Sequence, residues 1–181
     1  MDFGALLTDT WKTFIDNIVH AILFFLVGTL LCFTIILIPT VLGGWARGFI
    51  QIVKNGEKPE FSELWDFSNY LQLAFLCIAC GIIISIGYML LIIPGIILSI
   101  WFLYSVFFVA DKNMNFWEAM MLSKTRAGET GFFNHFVIFI ILCIINAIGS
   151  MAGGLGALVT GPFGFLLLAL VYTDMIESGT E

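Results

Sequence analysis

The chain has 181 residues, 60% hydrophobic and 11% charged, and thirteen acidic against seven basic side chains leave a net charge of −6. Soluble domains carry about 25% charged residues, and no soluble fold of this length has interior enough for so much apolar surface, so lipid is the missing solvent. The acidic balance argues against nucleic acid as a partner and against a polybasic grip on anionic headgroups, since both need a basic face.

Residues 1–16 contain no basic n-region and no small-residue cleavage site, so they are not read as a cleavable signal. Phe3, Leu7, Trp11, Phe14 and Ile18 recur at helical spacing, while Asp2, Asp9, Lys12 and Asp16 take another face. This predicts an amphipathic helix. It either lies in the headgroup plane with Trp11 as its anchor or packs on the rest of the protein from the cytosol.

Residues 17–53 form the first apolar run, with Arg47 its one charge and Pro39 its break. The first arm, about 18–38, is predicted to be a full span. The second, about 42–53, is short of the roughly 20 residues a span needs. The polar stretch 54–69 follows. Asn55-Gly56 and Pro59 mark a turn, and Phe61, Leu64 and Trp65 suggest a short interfacial helix wetted by Glu60, Glu63 and Asp66.

Residues 70–110 contain no Asp, Glu, Lys or Arg. As one helix they would reach about 62 Å, twice a bilayer core of about 30 Å. Pro94-Gly95 is therefore predicted to be the apex of a transmembrane hairpin, with a long first arm (71–93) and a short, aromatic-rich second arm (95–110).

In the polar stretch 111–129, Asn115 with Glu118 three residues later fits a capping box. Phe116, Trp117, Met120 and Met121 form the next apolar stripe. Lys124 and Arg126 fall late, where the helix dipole favours cations. Residues 130–173 are the last uncharged run, broken by the glycine cluster 149–156, with Pro162 placed to kink the final helix.

The fold expected is an all-α integral membrane protein of six transmembrane helices in three hairpins. Trp11, Trp65 and Trp117, and likewise Pro39 and Pro94, recur at similar spacing. That spacing fits three copies of one unit (1–56, 57–112, 113–176) within a single membrane domain, and equally fits the bare length any hairpin series needs. Lys12, Lys54, Lys58, Lys112, Lys124 and Arg126 all fall in the N-terminal segment or between hairpins. The positive-inside rule makes that side, and both termini, cytoplasmic. Arg47 is the exception. Either it snorkels to the far surface, or it is a functional intramembrane cation paired with an acidic group or a lipid phosphate.

His20 and His135 stand at similar depth and could in principle ligate a haem, although isolated interfacial histidines more often hydrogen-bond a backbone or lipid group. Cys77 and Cys80 share a helix face but lack a second pair. No cofactor or metal site is predicted. Asp111, Glu118 and Glu129 read as solvated interface charges. Gly44 with Gly48, Gly81 with Ser85, and Gly149 with Gly153 are spaced for close helix contact within one subunit or along a homo-oligomer seam.

The stretch 90–136 resembles the core signature of the YciC-like bacterial inner-membrane proteins, and is similar to the membrane domain fused to some glycerophosphodiester phosphodiesterases. Pro94, Gly95, Asp111, Glu118, Ala119, Ser123, Lys124 and Arg126 carry the resemblance. It implies six membrane helices in the inner membrane and brings no catalytic residues; the phosphodiesterase domain is absent from this sequence. Arg47, Pro94, Gly95, Asp111, Trp117, Glu118, Ser123 and Arg126 are the candidate functional residues. The expectation is a non-enzymatic scaffold, assembly factor or lipid-organising module, whose short arms would thin the bilayer. Its partners would be membrane lipids and either further copies of itself or another membrane protein. The alternatives are a small oligomeric transporter or channel using Arg47, and a haem-binding subunit using His20 and His135.

Overall fold

In lipid, a backbone has no water to bond to, so apolar runs close their hydrogen bonds within helices. The computed structural model describes residues 3–151 and 156–177, and all their regular structure is helical. Nine α-helices are described: α1 (Phe3–Asp16), α2 (Ile18–Cys32), α3 (Ile38–Asn55), α4 (Tyr70–Leu90), α5 (Ile92–Trp101), α6 (Ser105–Lys112), α7 (Phe116–Glu129), α8 (Phe132–Met151) and α9 (Ala157–Glu177). Among the described residues, five segments are long and apolar enough to cross a membrane: Ile35–Asn55, Tyr70–Leu90, Ile92–Lys112, Phe132–Met151 and Ala157–Ile176. The pair α1 and α2, bent by 84°, would make a sixth if taken as one span.

The first apolar run divides differently from its sequence expectation. The break falls at Phe33 and Thr34, not at Pro39. Helix α2 has 15 residues, about 22 Å at 1.5 Å per residue, so the first arm is not a straight full span. The second arm is the long one. A 3-10 turn (Ile35–Leu37) leads directly into α3, and the two together run for 21 residues. Pro39 sits in the first turn of α3, where its missing N–H has no intrahelical partner to lose. A short second arm that thins the bilayer is therefore not what this chain has.

The second hairpin turns at Leu91, whose extended backbone (φ −162°, ψ 150°) separates α4 from α5. Pro94 and Gly95 lie one turn later, inside α5, so they are not the apex. Gly95 is required there for closeness. A Cβ would run into the ring of Tyr88, so its absence lets α5 lie against α4. The second arm is also full length, because α5 and α6 continue one another across a break at residues 102–104.

Helix α1 packs along α9, with Trp11 and Phe14 edge-on to Phe163. Its buried face is Leu6, Thr10 and Phe14; Trp11 is 57% exposed, so the apolar stripe is rotated from the one read off the sequence. The Thr10 hydroxyl is satisfied by donating to the Leu6 carbonyl at 2.7 Å.

Helix α3 is the centre, contacting α2, α4, α6 and α9. Its core partners are aromatic: Trp45 stacks on Phe25 at 4.2 Å, and Phe49 meets Phe24 and Phe165. The glycine turn between α8 and α9 lies partly outside the described residues, as does Gly153. Helix α9 continues through Pro162.

Candidate functional site at the polar end of the bundle

Three groups of polar side chains are drawn together where α3, α4, α6 and α9 end or begin. The first is built on Arg47. The polar stretch after α3 folds back along it as a 3-10 turn (Phe61–Trp65), with Leu64 buried. Gly44 makes the approach possible: a Cβ there would lie 2.6 Å from the Glu63 carbonyl oxygen and 2.9 Å from the Leu64 Cα. Arg47 Nε then donates to Glu63 Oε2 at 2.6 Å, and Nη2 reaches Asp66 Oδ2 at 3.1 Å and the Glu63 carbonyl at 3.2 Å. Gln51 Nε2 donates to the other Glu63 oxygen at 3.0 Å.

Arg47 does not snorkel to the far surface, and Glu63 and Asp66 are not the wet side of an interfacial helix. They are its counter-ions, for the reason that a guanidinium only 13% exposed is costly to leave unpaired. The Ser68 backbone N–H donates to Asp66 at 2.9 Å, and its hydroxyl donates at 2.8 Å. The Ser68 N–H above all, then its hydroxyl and the nearby Arg47 charge, hold the Asp66 carboxyl below its ordinary range against the opposing effect of burial. Arg47 Nη1 has no hydrogen-bond partner among the described residues, and a 160 Å³ cleft lined in part by Arg47, Gln51 and Asp111 adjoins it, roomy enough for water.

The second group is built on Asp111, at the end of α6. It accepts from Lys54 Nζ at 3.2 Å to each oxygen and from the Tyr172 hydroxyl at 3.0 Å. Lys112 Nζ stands at 3.5 Å. Asp111 is thus a tie between α3, α6 and α9, not the freely solvated charge expected. In the third group, Asn69 donates to Asn113 Oδ1 at 2.6 Å and to the Val109 carbonyl at 3.3 Å. Gln72 accepts from the Phe116 N–H at 3.1 Å. The two polar stretches between hairpins therefore meet at one end of the molecule.

The remaining candidates are dispersed. Ser123 is fully buried, donates to the Trp101 carbonyl at 2.6 Å and accepts from the Tyr104 N–H at 3.3 Å. It closes the backbone groups that the α5–α6 break leaves open, a structural task invisible in its motif. Asn115 caps α7 by accepting from the Trp117 N–H at 3.0 Å. Met120 is buried while Trp117 and Glu118 are exposed, so the buried face of α7 is Ala119, Met120, Ser123 and Ala127. Lys124 lies 4.5 Å over the Trp101 ring, and Arg126 pairs with Glu129 at 3.3 Å.

His135 is buried with both ring nitrogens occupied, Nδ1 by the Tyr104 hydroxyl at 3.0 Å and Nε2 by the Thr130 hydroxyl at 2.5 Å. Neither is left for an iron. Among the described residues no bond or ring contact joins His135 to His20, and no three His, Cys, Asp or Glu side chains are grouped to hold a metal. Gly44 and Gly48 admit the 61–65 turn and the ring of Phe24, whereas a Cβ on Gly81 would meet nothing. Comparison with protein-family models, curated proteins and solved structures finds no match to this chain.

Proposed function

We propose that this is a non-enzymatic integral membrane protein that works as a scaffold or lipid-organising module, presenting its outer helix faces to lipid or to a membrane partner. One observation carries the reading. The ionisable side chains within the bundle are largely paired, Arg47 with Glu63 and Asp66, His135 with Tyr104 and Thr130, Asp111 with Tyr172 and Lys54; among the described residues the buried polar atoms left open are Arg47 Nη1, the Thr40 and Ser105 hydroxyls and the Trp45 indole N–H. A transport path needs polar groups facing a lumen, and catalysis needs them facing a substrate. In contrast, α4 and α8 expose apolar rows, with Ile78, Ile82 and Ile86 on α4 and Ile140, Ile144 and Ile148 on α8.

The finer topology belongs to the same proposal. There would be six crossings, the α1–α2 pair being one bent crossing, with the lysine-bearing end cytoplasmic in a bacterial inner membrane. The resemblance to the YciC-like proteins agrees with it. Labelling of Asn55→Cys and Asn113→Cys from the same side supports that arrangement, and labelling from opposite sides refutes it. Functionally, the purified protein reconstituted in liposomes should give no solute or ion flux and no Soret band. From native membranes it should co-purify a defined lipid or protein partner. Flux abolished by Arg47→Met would replace the scaffold reading with the transporter.

A further inference from the structure

A groove of about 380 Å³ runs between α2, the α5–α6 break, α8 and α9. Phe25, Leu103, Phe139, Leu142, Gly164 and Leu168 wall it. Its lining spans residues 139 to 146 of α8 and 161 to 168 of α9, about 10 Å along each helix. Gly164 keeps it open: a Cβ there would meet only Leu142, at 3.3 Å. Cys143, also in the lining, is exposed, so the groove opens on the surface that faces the bilayer.

Walls this apolar do not hold water. A void there would forfeit dispersion contacts along its whole length, so hydrocarbon is the occupant that fits. One polar side chain interrupts the lining. Asn146 donates through Nδ2 to the Leu142 carbonyl at 2.9 Å, and its Oδ1 receives no donor from the described residues. Asn146 is exposed, and with these helices in a bilayer an exposed acceptor without a donor would be costly.

We propose that this groove binds the hydrocarbon chain of a lipid that carries a hydroxyl or amide N–H donor at its head, the chain lying along α8 and α9 and the donor on Asn146 Oδ1. The outer face of α4 provides the contrast. It is as apolar and as exposed, so it serves as the comparison surface for contact with lipid that needs no selection. The site goes beyond the scaffold reading and rests only on these helices lying in a bilayer.

The test uses the full chain in nanodiscs with two probes, a long-chain alcohol carrying a diazirine in mid-chain and its methyl ether, followed by photolysis and peptide mapping. The alcohol should label residues 139–146 and 161–168 in preference to the outer face of α4. It should exceed the ether in the groove by about fivefold, the ratio one ordinary hydrogen bond is worth. Asn146→Leu should reduce the alcohol to the ether's level. Gly164→Leu and Cys143→Trp should each suppress groove labelling; Cys143 is exposed, so the larger ring displaces no packing, and circular dichroism checks the fold. Equal labelling of α4 and the groove, or groove labelling unchanged in both filling variants, overturns the site. Equal labelling by alcohol and ether in the wild-type protein overturns the role of Asn146.

Discussion

Arg47→Met removes the cation shared by Glu63 and Asp66. The Arg47 and Glu63 side chains are 13% and 20% exposed and meet at 2.6 Å, so the pair is neither free in water nor fully interior. Exposed pairs contribute about 0–1 kcal/mol, whereas breaking a buried one costs about 3–5 kcal/mol, because the remaining charge is stranded. The exposure here places the expected loss at about 2–4 kcal/mol. Most of it comes from Glu63, which keeps only Gln51 as a side-chain donor. The double variant Arg47→Met with Glu63→Met replaces the pair by apolar volume and should recover to within about 1 kcal/mol of the wild type. The assay is reversible unfolding in mixed micelles by titration with a denaturing detergent, read by circular dichroism and analysed as a double-mutant cycle. If the single variant lies within about 0.5 kcal/mol of wild type, or the double variant is no better than the sum of the singles, the pairing argument fails.

Two further outcomes follow from the same geometry. Ser123→Ala strands the Trp101 carbonyl and the Tyr104 N–H, so it should cost about 1–3 kcal/mol and speed hydrogen exchange at Tyr104. Asp66 titrates below its ordinary range in the folded protein, so its contribution is complete above the unfolded-state value of about 3.9 and is lost as pH falls through the lower folded value. Exchange at the Ser68 amide should therefore stay slow through mild acid and rise only below that range. Asp66→Asn should lose the acid transition.

Much of the molecule was legible from composition and charge spacing alone. Charge-free runs longer than one bilayer crossing had to be doubled back, and five segments of the structure are long and apolar enough to cross. The polar stretches 54–69 and 111–129 do come together at one end of the molecule, where Lys54 meets Asp111 and Asn69 meets Asn113. The breaks were less legible. Pro39 and Pro94 signal that a helix is near its start, but a proline in a first turn is silent about where the preceding helix stops, and the chain reversed instead at residues 33–34 and at Leu91.

Pairing was hidden for a different reason. Glu63 and Asp66, three residues apart, look like the wet side of a surface helix. Only the approach of residues 61–65 over Gly44 brings them to Arg47. In the sequence Ser123 stands in a motif, Asp111 reads as a surface charge and His135 as an interfacial histidine bonded to backbone or lipid, yet each is held by a residue between 19 and 61 positions away. Hydrophobic periodicity is a local property, and one sequence suffices to state which segments need lipid. Which polar group answers which depends on helices distant in the chain coming within about 3 Å of each other, the range in which a hydrogen bond acts. That was decided by packing around α3.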